Sequence, residues 1–257
     1  MIMTAEAANE LPAPLPLRRF QRVALFLDLD GTLASIEPRP EDVRPAPWRT
    51  ALVRRLQQGL EGRLAVISGR SLDEVDRILE GAAIAVGAVH GLVRRRADGS
   101  VVRAPPHPNL RWARSALQAA ATARPGLIVE DKGLSVALHY RRAPALADEA
   151  VAEARRVAGE YGLKLQLGNM VAEVCTPGFD KGTALRAFMR ERPFERGGPV
   201  FVGDDLTDEN GFSAAKALGG VGILVGSPRP TAAELRLDNV AAVRAWLEAG
   251  PAPDAGR

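Results

Sequence analysis

Two aspartates separated by one residue occur in the segment Asp28-Leu29-Asp30-Gly31-Thr32. Two carboxylates this close repel each other unless a cation or a shared proton lies between them. Mg²⁺ prefers carboxylates, waters and phosphate oxygens as ligands, and Gly31 permits a turn that would bring both aspartates to one site. The segment therefore predicts a magnesium site, with aspartates that only cap a helix as the open alternative.

Three further segments carry side chains that suit phosphate chemistry. Ser68 follows an apolar run and can donate its hydroxyl to a phosphoryl oxygen. Lys181 begins a predicted helix, where its ammonium group and the backbone N–H groups attract an anion. A late apolar run is followed by three more carboxylates, on Asp204, Asp205 and Asp208. Together with the first segment, these groups predict a site that binds a cation and a phosphoryl group.

Short apolar runs place these groups at the ends of predicted strands. Continuous runs of this kind are typical of parallel strands buried on both faces. Helix-like segments lie between them, and one begins at Ser71 with Glu74 three residues on, a capping box. Ligands of open α/β sheets bind beyond the carboxyl ends of the strands, so the candidate groups should converge there. The predicted strands of this sheet are 23–27, 64–67, 83–86, 199–202 and 221–225.

A proline-rich segment at 104–108 separates two kinds of pattern. After it, a helix followed by two strands occurs twice, which predicts a small module of its own. The strand pattern of the first part then resumes. We therefore predict an α/β fold: a doubly wound Rossmann-like parallel sheet core with an inserted smaller α+β cap domain. The predicted parts are a flexible N-terminal tail at 1–20, core at 21–104, cap at 105–177 and core again at 178–250.

The composition argues against several classes of function. The chain has 257 residues, 46% hydrophobic and 25% charged, with a net charge of +3, as in an ordinary globular protein. Aromatic residues make up 5%, which is too few for a surface on which nucleic-acid bases could stack. The longest cationic run is Arg94-Arg95-Arg96, and an Asp98-Gly99 turn follows it. This run predicts a solvated hairpin rather than a nucleic-acid contact. The single cysteine, Cys175, excludes an intrachain disulfide. No membrane span or signal peptide is predicted, so we expect a cytoplasmic protein. We also expect a monomer.

Four segments, in this order along the chain, resemble the four motifs of the haloacid dehalogenase superfamily of phosphatases. The segment 28–32 resembles the first motif, Ser68 the second, Lys181 the third and the segment 203–208 the fourth. The resemblance implies a Mg²⁺-dependent phosphatase, in which the insertion is the mobile cap of the sugar-phosphate members.

Within the superfamily, the chain is most similar to the trehalose-6-phosphate phosphatases. Several matching segments lie outside the general motifs, so they bear on the substrate rather than on the phosphate chemistry. The resemblance implies hydrolysis of a small sugar phosphate, trehalose 6-phosphate, in trehalose biosynthesis. The matching segments are Ser68-Gly69-Arg70, Gly87-Ala88-Val89-His90-Gly91, Glu130-Asp131-Lys132, Ala137-Leu138-His139-Tyr140-Arg141, Glu173 before Asp180-Lys181-Gly182, and the segment from Gly203 to Glu209.

The resemblance also implies a role for each candidate in the core. Asp28 would attack phosphorus and form an aspartyl-phosphate, while Asp30 would protonate the leaving sugar oxygen and later activate water. Mg²⁺ would be held by Asp28, the backbone carbonyl of Asp30, and Asp204. Lys181 would stabilise charge during the transfer. The remaining implied roles are binding of phosphoryl oxygens by Thr32 and Ser68, and support of the metal site or of the lysine by Asp205 and Asp208.

Charged residues on the predicted cap strands are candidates for recognising sugar hydroxyls. Glu130, Lys132 and Glu173 offer carboxylates and an ammonium group that suit hydrogen bonds to hydroxyls, and an exposed strand-edge charge is the open alternative for each. Arg70 and His90 lie in core loops beside the phosphate motifs and are candidates for the pocket wall. A packed histidine is the alternative for His90.

Other functions stay open on the sequence alone. Another capped sugar phosphatase, acting on a sucrose, mannosylglycerate or hexose phosphate, would share the core and differ in the cap. A non-catalytic phosphosugar-binding module would bind at the same site without turnover. Phosphoryl transfer within a sugar would use the site without releasing free phosphate.

Overall fold

The computed structural model describes residues 11–20 and 22–250. The strands among these residues are β1 Val23–Leu27, β2 Leu64–Ile67, β3 Ala85–Ala88, β4 Val93–Arg95, β5 Val101–Arg103, β6 Ile128–Asp131, β7 Ser135–His139, β8 Lys164–Gly168, β9 Val171–Cys175, β10 Gly198–Gly203, β11 Val221–Val225 and β12 Leu235–Leu237. The α-helices are α1 Pro47–Gly59, α2 Leu72–Leu79, α3 Leu110–Thr122, α4 Ala147–Tyr161, α5 Lys181–Phe188, α6 Glu209–Ala217 and α7 Val240–Glu248. In this part of the chain, no helix is both long and apolar enough to cross a lipid bilayer.

Eight strands form one sheet in the order β12-β11-β10-β1-β2-β3-β4-β5. The strands from β12 to β3 are parallel, while β4 and β5 are antiparallel additions at one edge. This sheet confirms the predicted parallel α/β core. The strand predicted at 83–86 lies slightly later, at Ala85–Ala88, and β12, α6 and α7 were not predicted.

β1 lies within this sheet, and all five of its residues are buried. Leu25 and Leu27 belong to the apolar cluster on one face, together with residues of α1, α2 and α7. Ala24 and Phe26 belong to the cluster on the other face, where α5 contributes Phe188. Successive side chains of a strand point to opposite faces, so helices on both sides require the continuously apolar run that the sequence shows.

A second, antiparallel sheet has the strand order β6-β7-β9-β8, with α3 and α4 packed against one of its faces. Val136 and Leu138 of β7, and Ala172 and Val174 of β9, belong to its apolar cluster. The residues that alternate with them therefore point to the opposite face, among them Glu173. This separate sheet is the cap.

Short segments join the cap to the core. β5 ends at Arg103 and α3 begins at Leu110, while β9 ends at Cys175 and α5 begins at Lys181. These junctions support the proposed cap at 105–177.

Part of the predicted flexible tail packs on the core. Leu17 lies in a single 3-10 turn and is 1% exposed, and Trp246 Nε1 donates a hydrogen bond of 2.8 Å to the Leu15 carbonyl. Residues 11–20 therefore differ from the prediction, because one apolar anchor and one indole donor fix a segment that has no periodic pattern. The rest of the segment 1–20 lies outside the described residues.

β4 and β5 form the predicted hairpin, but its arginines are not all solvated. Arg94 makes a two-pronged ion pair with Glu191, with N–O distances of 2.6 and 2.9 Å. Arg95 pairs in the same way with Asp76, at 2.7 and 2.8 Å. These arginines attach the hairpin to the core, so they do not form a free cationic surface.

Candidate active site

A buried lysine connects two aspartates at the carboxyl end of the central strands. Lys181 begins α5, and its Nζ lies 2.8 Å from Asp28 Oδ1 and 2.7 Å from Asp208 Oδ1. Asp28 directly follows β1. All three residues are buried, and Asp28 is the most exposed of them at 4%. Burial lowers the pKa of Lys181, but the charges of Asp208 and Asp28 outweigh burial and raise the pKa overall. The ammonium group is therefore firmly charged.

Three carboxylates gather around this ammonium group. Asp28, Asp204 and Asp208 each place one oxygen within 4.8 Å of the others. Burial, followed by the charge of Asp208, raises the pKa of Asp204 to about 7, and burial also raises the pKa of Asp28 despite the charge of Lys181. Asp204 Oδ1 is buried and has no hydrogen-bond partner among the described residues. Mg²⁺ fits this donor set, because it binds carboxylate oxygens and would supply the missing positive charge.

The turn after Asp30 is shaped to meet Asp204. Gly31 has a φ of +77°, and a Cβ built there would overlap the Asp204 carboxylate. The absence of a side chain at Gly31 therefore allows the loops that follow β1 and β10 to approach each other.

Asp208 organises the turn that follows β10. Its Oδ2 accepts hydrogen bonds from the N–H groups of Asp204 at 3.0 Å and Asp205 at 2.9 Å, while its Oδ1 pairs with Lys181. The Asp205 carboxylate points towards the cap, where its Oδ2 accepts a hydrogen bond of 3.1 Å from the N–H of Asn169. Asp205 was predicted to support the metal site, but its carboxylate lies outside the cluster of three.

The Asp30 carboxylate also lies outside the cluster, because Arg70 holds it. Arg70 Nε lies 2.7 Å from Asp30 Oδ2, and Nη2 lies 2.8 Å from Oδ1. Arg70 Nη1 donates to the carbonyl of Pro40 and to Glu74 Oε1. Arg70 was predicted to bind substrate; it lines the cavity, and its hydrogen bonds in this structure orient Asp30.

The two hydroxyls predicted to bind phosphate differ in position. Ser68 follows β2, is 1% exposed and lines the same cavity as Asp28. Its Oγ accepts a hydrogen bond of 3.2 Å from the N–H of Arg70, so the hydroxyl proton is free to donate. Thr32 is fully buried and is not among the cavity-lining residues, although its Oγ1 has no partner among the described residues.

His90 stands on a strained turn at the edge of the core. Val89 and His90 both have left-handed backbone angles, with φ of 47° and 54°, which a β-branched residue rarely adopts. The N–H groups of the two residues bond to the carbonyls of Arg70 and Ser68, at 2.8 and 2.9 Å. Strain of this kind persists only where surrounding contacts hold it, and it concentrates at functional sites.

The cap meets this turn through a buried ion pair. Lys132 Nζ lies 3.0 Å from Glu173 Oε2 and donates to the Gly69 carbonyl at 3.1 Å, while His90 Nε2 lies 3.7 Å from Glu173 Oε2. Burial raises the pKa of Glu173, but Lys132 and His90 outweigh it, so the net shift is downward. Burial lowers the pKa of His90 more than Glu173 raises it. Lys132 and Glu173 therefore form a charged pair at the junction of cap and core.

Three further cap side chains, those of Glu130, His139 and Gln166, occupy the same face of the cap sheet. Glu130 Oε2 lies 2.8 Å from His139 Nε2. Burial raises the pKa of Glu130, but this contact and the charge of Lys132 together outweigh burial and lower the pKa overall. The sequence analysis missed Gln166, which is opposite Glu173 in the β8–β9 register and is 7% exposed. Its Nε2 has no hydrogen-bond partner among the described residues. The alternating pattern of β8 was the signal for this inward-facing position.

One cavity between core and cap is lined by most of these residues. Acid, hydroxyl and ammonium groups lie on the core side, and charged and amide groups lie on the cap side, so the arrangement can bind a phosphoryl group at one end and a polar organic group at the other. The core side chains lining it include Asp28, Asp30, Ser68, Arg70, His90, Lys181 and Asp204, and the cap side chains include Glu130, Lys132, His139, Gln166 and Glu173.

Comparison with known proteins gives consistent matches over most of the chain. The family model for trehalose-phosphatase matches residues 26–241. The trehalose-6-phosphate phosphatase of Escherichia coli (strain K12) is 38% identical over 229 residues, which cover 88% of this chain and 86% of the relative. A probable trehalose-phosphate phosphatase of Sinorhizobium fredii is 36% identical, over 82% of this chain and 81% of the relative. The crystal structure of a trehalose-6-phosphate phosphatase related protein has a TM-score of 0.73 and 26% identity, over 88% of this chain and 95% of that one.

Proposed function

Because the chain belongs to the trehalose-phosphatase family, we propose that it hydrolyses trehalose 6-phosphate to trehalose and free phosphate through a covalent intermediate on Asp28. The observation that carries this proposal is the convergence of Asp28, Asp204 and Lys181 on the core wall of a cavity whose other wall is the charged face of the cap, with Asp208 paired to Lys181.

Asp28 is the proposed nucleophile. A carboxylate oxygen of Asp28 bonds to phosphorus while the bond between phosphorus and the sugar oxygen breaks, which leaves an aspartyl-phosphate. The departing sugar oxygen takes a proton from Asp30, whose carboxyl group is oriented by Arg70. Proton donation of this kind contributes roughly 10²–10⁴-fold in rate. Water then attacks phosphorus, gives its proton to Asp30, and releases phosphate, so the carboxylate of Asp28 is restored.

The cation is the second part of the proposal. The residues that would hold Mg²⁺ are Asp28, Asp204 and the backbone carbonyl of Asp30. When bound, Mg²⁺ supplies the positive charge that lets an anionic nucleophile meet an anionic phosphate. Asp208 supports this site, since it accepts hydrogen bonds from the N–H groups of Asp204 and Asp205 in the turn.

Two residues would bind the phosphoryl oxygens. Lys181 is buried and charged, and Ser68 has a free hydroxyl proton, so both can stabilise the charge that spreads over the oxygens during transfer. Thr32 stays a prediction as a third donor. Its side chain is buried and is not among the cavity-lining residues.

The cap would recognise the sugar. Lys132, Glu173 and Glu130 lie on one face of the cap sheet and line the cavity, with His90 facing them from the core. Carboxylates that face sugar hydroxyls accept charge-assisted hydrogen bonds, which discriminate by geometry. An enzyme for one of the alternative sugar phosphates would use the same core and differ in these cap residues.

A panel of sugar phosphates tests the proposal. The protein with Mg²⁺ is assayed for free phosphate from trehalose 6-phosphate, sucrose 6-phosphate, mannosylglycerate phosphate and glucose 6-phosphate, and we expect the highest kcat/KM for the first. Turnover of a hexose phosphate without turnover of trehalose 6-phosphate would overturn the substrate. Binding of trehalose 6-phosphate without release of phosphate would favour the non-catalytic module.

A further inference from the structure

The loop between β11 and β12 lies against the turn that carries Asp204. Arg229 of this loop directs Nη2 at two consecutive main-chain carbonyls, 3.3 Å from Asp204 O and 3.0 Å from Asp205 O. The guanidinium group is planar and rigid, so one side chain fixes the orientation of two neighbouring peptide units.

Glu209 holds Arg229 in this position. Glu209 is the first residue of α6, and its Oε1 forms a short ion pair with Arg229 Nη1. The same oxygen accepts a hydrogen bond of 2.9 Å from Thr231 Oγ1, and Oε2 accepts one of 2.7 Å from the N–H of Ala232. Glu209 therefore attaches the loop to α6 and aims the guanidinium group at the turn. Neither Arg229 nor Glu209 is among the cavity-lining residues.

The turn is thus held from two sides. Asp208 accepts hydrogen bonds from the N–H groups of Asp204 and Asp205, and Arg229 donates to their carbonyls. With its backbone fixed on both sides, Asp204 has a restricted set of side-chain positions, and one of its carboxylate oxygens lies in the acidic cluster. Groups that orient a metal ligand without touching the metal commonly change metal affinity by about 10–100-fold when they are removed.

We propose that Arg229, aimed by Glu209, is a positioning residue that holds Asp204 in the geometry needed to bind the divalent cation. This inference rests on the cation site in the proposed function, and it assigns a role to Glu209, the last residue of the matching segment from Gly203 to Glu209.

The experiment measures Mn²⁺ binding by the full chain, by electron paramagnetic resonance of free Mn²⁺ and by calorimetry, without substrate. The variants are Arg229→Met, Arg229→Lys and Glu209→Gln. Arg192→Met is the matched control, since Arg192 pairs with Glu195 at 3.3 Å but is 80% exposed in its side chain. We expect Arg229→Met to weaken Mn²⁺ binding by about 10-fold or more, Arg229→Lys and Glu209→Gln to weaken it less, and the control to be unchanged.

The outcomes separate positioning from general stability. A folded Arg229→Met variant with a lower melting temperature and unchanged Mn²⁺ affinity would overturn the proposal. Should Arg229→Met not fold, unchanged affinity in both Arg229→Lys and Glu209→Gln would do the same. Absence of Mn²⁺ binding by the unaltered protein would remove the cation site and this role with it. The unaltered protein could bind Mn²⁺, lose affinity on Arg229→Met, and yet not turn over trehalose 6-phosphate. That result would support the positioning role and contradict the proposed substrate.

Discussion

The core wall and the cap wall of the cavity are built in different ways. On the core side, Asp28, Lys181 and Asp204 come from three distant parts of the chain, and each stands on a loop or helix start at the carboxyl end of a strand. On the cap side, Glu173 and Gln166 occupy paired positions of two neighbouring strands. Core groups depend on loops that must be fixed one by one, whereas cap groups follow from sheet register.

The two walls also differ in how their charges are balanced. The core cluster has three carboxylates for one ammonium group, whereas the cap pairs Lys132 with Glu173 at 3.0 Å. The core cluster is therefore short of positive charge, which suits the proposed cation site, whereas Lys132 and Glu173 neutralise each other before a ligand enters. This difference supports the proposal that the core carries the phosphate chemistry and the cap recognises the sugar.

The largest effect is expected on the core side. Asp28→Asn removes the proposed nucleophile, so phosphate release should fall by at least about 10³-fold for every substrate, including p-nitrophenyl phosphate. The melting temperature should stay the same or rise, because burial already disfavours the Asp28 carboxylate. Asp238→Asn is the control, at a residue whose side chain is 71% exposed. Substantial activity of Asp28→Asn would rule out the covalent route.

A smaller and selective effect is expected on the cap side. Glu173→Gln should raise KM for trehalose 6-phosphate by about 10-fold or more, since a hydrogen bond to a charged group contributes about 1.5–3 kcal/mol. Turnover of p-nitrophenyl phosphate, which has no sugar, should change by about 2-fold or less. Glu149→Gln is the matched control on the cap, because that side chain is 57% exposed. Equal losses on both substrates would show that the division between the two walls is wrong.

The smallest effect concerns pH. Burial lowers the pKa of His90 in the folded protein, so this group stabilises the fold above its unfolded pKa of ~6.5 and loses that contribution as pH falls below it. His90→Asn, which tolerates the left-handed backbone, should therefore show a smaller drop in melting temperature between pH 7.5 and 5.5. His107→Gln serves as the control. Identical pH dependence of His90→Asn and the unaltered protein would contradict a buried, neutral His90.

The sequence predicted the strand ends better than the side-chain contacts. Parallel strands bring their carboxyl ends to one edge, so Asp28, Ser68 and Asp204 could be placed together from the order of apolar runs alone. The pairing of Arg70 with Asp30 could not, because it depends on which way two loop side chains turn. Both residues line the cavity, but the arginine, predicted to bind substrate, pairs with Asp30 in the structure.

Hydrogen bonds between distant loops were the second feature that the sequence did not predict. Arg229 reaches the acidic turn from a loop about twenty-five residues further along the chain, and no spacing rule indicates such a contact. Gln166 is different, since its place in an alternating strand opposite Glu173 carried the information. Strand periodicity therefore locates residues on a face, while hydrogen bonds between irregular segments need the folded chain.

Gly31 has a practical consequence for engineering. Exchanging glycine for alanine is a common route to a more heat-resistant variant, since it limits the freedom of the unfolded chain. At Gly31 an alanine would destabilise the fold for two reasons: the φ of +77° is unfavourable for a residue with a side chain, and the Asp204 carboxylate fills the space of the methyl group. Gly99, whose φ is +84° but whose methyl group would meet no atom within 4 Å, carries only the first of these penalties. Substitutions meant to raise the melting temperature should therefore be made outside the segment 28–32.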